Sequence, residues 1–135
     1  MRTMNAAGGV VLLFALLNVS CSDGVATSPT ETTSLSTITW TTQLGPRGSA
    51  SRSLEVGQSG TVFVTLQSAP VPVGLGIGVP QANGSGCRTT LSTTATAASA
   101  PQLTTSVEEG RYCVIVFDVV GLADPITFTV EVVQP

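Results

Sequence analysis

The ten residues from Gly110 to Val119, Gly-Arg-Tyr-Cys-Val-Ile-Val-Phe-Asp-Val, limit what this chain can become more than any other stretch. Successive side chains of an extended chain point to opposite faces. Cys113, Ile115 and Phe117 therefore share one side, and Tyr112, Val114 and Val116 share the other. Both faces are largely apolar, as in a central strand covered on both sides; an edge strand rarely looks like this. The segment calls for partner strands and predicts an all-β domain built around it.

Other segments carry the two-residue period of half-buried strands. Ile38, Trp40, Thr42 and Leu44 alternate with Thr39, Thr41 and Gln43, which points Trp40 inward. Arg52 to Val56 forms a short strand, and Thr61 to Gln67 sets Val62, Val64 and Leu66 on one face. Val73 to Val79 places Gly74, Gly76 and Gly78 at alternate positions, a face that admits close approach by a backbone, a ring or a ligand. Packing against a neighbouring side chain, Trp40 or Phe63, is the expectation. Gln102 to Val107 resumes the alternation, and Ile126, Phe128, Val130 and Val132 give it most cleanly. Turn chemistry separates these segments at Gly45-Pro46-Arg47-Gly48, Gly57 to Gly60, Gln81 to Gly86, Glu108 to Gly110 and Gly121 to Pro125. The run Thr89 to Ala100 is nearly all Thr, Ser and Ala apart from Leu91; it reads as exposed, and its pattern does not decide whether it forms a strand. About seven strands with no helical period beyond the N-terminus predict a single antiparallel β-sandwich, jelly-roll-like, with an open barrel as the alternative.

The N-terminus is of another kind. Arg2 precedes an apolar stretch from Ala6 to Leu17, about 12 residues long, which fits a secretory signal and falls short of the roughly 20 needed to span a bilayer. Leu17-Asn18-Val19-Ser20-Cys21 resembles a bacterial lipobox, in which Cys21 receives diacylglycerol; Asn18 stands where that pattern has an aliphatic residue. Ordinary cleavage after Ser22 or Ala26 is the alternative. The resulting organisation is a signal peptide over residues 1–20, an anchor cysteine with a Ser/Thr-rich linker over 21–35, and the β-sandwich over 36–135.

Cysteine arithmetic fits export. Three cysteines leave one over in an oxidising compartment, and a lipid on Cys21 leaves Cys87 and Cys113 as a pair. Closing that 27-residue loop stabilises the fold by about 3.5 kcal/mol in the chain-entropy model. Two buried thiols are the other possibility.

Histidine and lysine are absent, which excludes His-based triads, His zinc sites and Ser-Lys nucleophiles. Beyond residue 20, four Arg face eight Asp and Glu, a balance that argues against a nucleic-acid partner. Glu108, Glu109, Asp118 and Asp124 gather near the ends of the central segment. Such a group can serve as an acid-base pair or as an oxygen-rich calcium site, yet turn capping and solubility account for it as well. We therefore expect no catalytic residue, no metal site beyond weak calcium binding, and no cofactor.

Gly60-Thr61-Val62 with Val64-Thr65-Leu66, Gly110-Arg111-Tyr112-Cys113-Val114 with Val116 and Asp118, and Pro125 with Phe128-Thr129-Val130 resemble bacterial pre-peptidase C-terminal domains and related small lipoproteins. The resemblance covers residues 36–135 and implies a compact, secreted, noncatalytic sandwich of a kind that is often an accessory to a hydrolase. The expectation for function is thus a noncatalytic accessory or binding module, not an enzyme. It is exported to the bacterial cell envelope and lipid-anchored, or otherwise periplasmic or secreted, and its partners are the membrane and an envelope protein or polysaccharide. A polysaccharide-binding module is the nearest alternative and a small secreted hydrolase the most distant.

Overall fold

A computed structural model describes residues 34–135. The expected signal segment, Cys21 and the expected linker as far as residue 33 lie outside the described residues. Eight strands follow in order: β1 (Ser36–Leu44), β2 (Ser49–Val56), β3 (Gly60–Ser68), β4 (Val73–Pro80), β5 (Cys87–Ala95), β6 (Leu103–Val107), β7 (Gly110–Phe117) and β8 (Ile126–Gln134). They form two four-stranded antiparallel sheets, ordered β1-β8-β3-β6 and β2-β7-β4-β5. The sheets stack as a β-sandwich, not a closed barrel. Pairing of β1 with β8, β2 with β7, β3 with β6 and β4 with β5 describes one long hairpin, with its tip at residues 81–86, rolled over on itself. This is the jelly-roll arrangement.

The strand count exceeds the expected seven by one, because the Thr/Ser/Ala run forms β5. That strand pairs with β4 from Val73–Ala95 to Pro80–Cys87 yet remains mostly exposed at the sheet edge. The Gly110–Val119 segment is internal as expected, with β7 lying between β2 and β4. Val114 and Val116 enter the core beside Leu54, Leu75, Ile77, Phe128 and Val130. The other face of β7 has no second layer. Cys113 is buried there under its own disulfide, and Ile115 and Phe117 are half-buried.

Trp40 points inward and meets Phe128 edge to face, with ring centroids 5.2 Å apart and planes at 87°. It does not lie on the glycine face of β4, and neither does Phe63. A side chain on Gly74 would run into the ring of Phe117, and one on Gly76 would meet Thr89 and Ile115. At Gly78 the obstacle is the backbone of Arg88 on β5. Here β5 carries one extra residue, since Ile77 pairs with Leu91 while Gly78 pairs with Thr89. The bulge at Thr90 and the missing side chain at Gly78 let the start of β5 fold across β4, which brings Cys87 to 5.8 Å Cα–Cα from Cys113. The two cysteines form a disulfide. It joins strands that are separated in the sheet by β4.

Candidate functional site

A concavity lies on the outer side of the second sheet, near the disulfide. It has a volume of about 350 Å³ and is lined by Ser53, Leu54 and Glu55 of β2, Arg111 of β7, and Pro80 and Gly84 at the hairpin tip. Register places Glu55 directly opposite Arg111, and Arg111 Nε lies 3.4 Å from Glu55 Oε1. The side chains are 80% and 76% exposed, so the pair contributes at most about 1 kcal/mol and either member is free to turn to a ligand. The wall opposite is stiffened locally. Gly84 N–H donates to Gln81 C=O (2.9 Å), Gln81 N–H to Gly86 C=O (3.3 Å), and Ser85 N–H to Asn83 Oδ1 (3.2 Å). A guanidinium, a serine on β2 and a turn rich in backbone groups suit a polar or anionic chain held across the surface. Among the described residues lining the cleft, Glu55 is the one carboxylate. A glycosidase-type pair of carboxylates is therefore not assembled there.

Each carboxylate singled out in the sequence has a structural occupation or a solvated position. Asp118 is an anchor between loops. Its Oδ2 accepts from Arg47 N–H (2.9 Å) and Leu122 N–H (2.8 Å), and its Oδ1 from Val120 N–H (3.0 Å) and Gly121 N–H (2.9 Å). These donors, Arg47 N–H foremost, hold the Asp118 carboxyl below its ordinary pKa against the opposing effect of desolvation. Reciprocally, Asp118 N–H donates to Gly48 C=O at 3.1 Å. The Gly45–Gly48 turn that it grips has a 3.0 Å bond from Gly48 N–H to Gly45 C=O, and Arg47 sits at φ 54°. Proline at the second position and a positive φ at the third make this a type II turn.

Glu108 and Glu109 occupy the exposed β6–β7 turn. There the Tyr112 hydroxyl donates to Glu108 C=O (3.0 Å) and accepts from Glu108 N–H (3.2 Å). That is the geometry of a tyrosine corner, with the phenol pinning the backbone upstream of its own strand. Asp124 is exposed in the β7–β8 connection. Among the described residues, no group of three or more His, Cys, Asp or Glu is placed to hold a metal ion.

Sequence reasoning did not find the cleft. Its lining comes from three separated segments that only the rolled hairpin brings together, and no motif marks Ser53, Glu55 or Arg111. Cys87 and Cys113, in contrast, are joined as expected, which is compatible with export to an oxidising compartment. The fold and its cleft define a disulfide-linked β-sandwich. No protein-family model matches the chain, and no curated protein matches it.

Proposed function

We propose that this chain is a noncatalytic, exported β-sandwich that acts by binding at the bacterial envelope, tethered there by lipid on Cys21. The observation that carries the reading is the Cys87–Cys113 disulfide. It occupies two of the three cysteines and leaves Cys21, at the end of the signal-like segment, as the one to be accounted for. The cleft between Arg111, Ser53 and the Gly84 turn is the contact region, and a polar or anionic segment of an envelope protein suits its lining. Engagement of Asp118 by four backbone donors favours binding over catalysis, because a carboxylate so occupied makes a poor general base. None of the five aromatic rings beyond residue 35 is fully exposed, which favours a protein partner over sugar stacking. The resemblance to pre-peptidase C-terminal domains agrees with an accessory role.

Cell fractionation of a Cys21→Ser variant tests the anchor. The wild-type protein is expected in the membrane fraction and the variant in the soluble one. Equal membrane association and equal mass for both would overturn the proposal.

A further inference from the structure

Strand β1 is the outer strand of its sheet, and among the described residues nothing pairs with its free edge. An open edge presents unpaired N–H and C=O groups to any other strand, and soluble sandwiches ordinarily blunt it. The other three edges here are blunted. On β2, the exposed Arg52 puts a charge at a core-side position opposite Val114, where it lines a small void with Trp40 and Ile38. On β5 the extra residue at Thr90 breaks the ladder, and β6 has only five residues. Strand β1 has none of these devices. Its nine residues, Ser-Thr-Ile-Thr-Trp-Thr-Thr-Gln-Leu, contain no charge and no proline, and they pair with β8 without a register shift from Ser36–Gln134 to Leu44–Ile126.

We propose that β1 pairs antiparallel with β1 of a second copy of this chain, about a twofold axis through Thr39, joining the two sheets into one. The sequence of the strand selects this occupant, because in this register it is complementary to itself. On the outer face Thr37 meets Thr41 of the second copy, Thr39 meets Thr39, and Thr41 meets Thr37. On the core side Ile38 meets Trp40, and Trp40 meets Ile38. Threonine pairs and aromatic–β-branched pairs are both favourable across antiparallel strands. The same threonine pairing already exists on the other side of the strand, where the Thr41 and Thr129 hydroxyls lie 2.9 Å apart. Ile38 and Trp40 are only half-buried in the single chain; a small void of about 10 Å³ beside them is shared with Arg52, Leu54 and Val114 of the facing sheet. The resulting interface is isologous and closed, so pairing stops at two copies.

The inference does not depend on the anchor and is tested on the mature protein in mild detergent. Sedimentation velocity is expected to show a concentration-dependent dimer. Thr39→Lys sets like charges opposite each other on the axis, and dimerisation is expected to weaken about tenfold or more while the β-sheet circular dichroism spectrum is retained. Cysteine crosslinking reads the register independently, with wild type as the control for Cys21. Two Thr39→Cys copies bring their Cα atoms to about 5 Å, within disulfide range, and should give a dimer that resists SDS without reductant. In Thr37→Cys the like positions lie about 14 Å apart and should not link, whereas a mixture of Thr37→Cys and Thr41→Cys should. A protein that stays monomeric at every concentration would overturn the proposal. So would a dimer unaffected by Thr39→Lys, equal crosslinking of Thr37→Cys and Thr39→Cys, or recovery of β1 paired only with a different protein.

Discussion

Asp118 links two loops through one carboxylate, so its protonation state is coupled to folding. Its pKa is lowered in the folded chain, and the stabilisation is therefore fully present above the unfolded value of about 3.9 and is lost as pH falls through the lower folded value. Asp118→Asn should lower the melting temperature at pH 7, and thermal melts across pH should show the gap to wild type closing at the acid end. A gap that persists at low pH would mean that the role is not ionic. Gln102 works by shape instead of charge. Its Oε1 accepts from Leu66 N–H at 2.7 Å, and its Nε2 donates to Leu66 C=O at 3.3 Å and Thr96 C=O at 2.9 Å, so its amide stands in for a neighbouring strand just before β6 begins. Gln102→Ala should cost about 1–3 kcal/mol in denaturant unfolding, since Leu66 N–H loses its acceptor while Leu66 C=O keeps only the Ala98 N–H. The capping of the following turn by Asp118 was legible, because an aspartate at a strand end commonly does this, whereas its bond to Arg47, 71 residues away in sequence, was not. The role of Gln102 was not, because its amide acts only once β3 and β6 lie side by side.

At the level of the strand, legibility followed apolar alternation. Strand β8 buries Phe128, Val130 and Val132 and could be read directly, whereas β5 buries only Cys87 and Ala95 and left no such pattern. The glycines of β4 announced a close approach without saying to what. The answers are the ring of Phe117 at Gly74 and the β5 backbone at Gly78, the latter depending on a bulge that no local signal marked. Gly78→Ala forces backbone apart from backbone, and urea unfolding should show a loss of about 3 kcal/mol, at the upper end of overpacking costs. Replacing Cys87 and Cys113 together with Ala should cost about 2–5 kcal/mol in the same measurement. If both sets of variants unfold like wild type, the crossing of β5 over β4 is not where the fold is secured.

Over the whole molecule, the nested pairing of β1 with β8 through β4 with β5 makes every sheet contact outside the hairpin tip distant in sequence. The disulfide closes a sequence separation of 26 residues between the tip and the central strand, where a rolled hairpin has most to lose by opening. The same bond carries the functional account, because it commits two cysteines to structure and leaves Cys21 for an anchor. Peptide mapping of the protein isolated from cells that express the full chain, alkylated without reduction, tests both at once. The account predicts a linked Cys87–Cys113 peptide and an N-terminal Cys21 bearing diacylglycerol. Recovery of Cys87 and Cys113 as two separately alkylated thiols would contradict it.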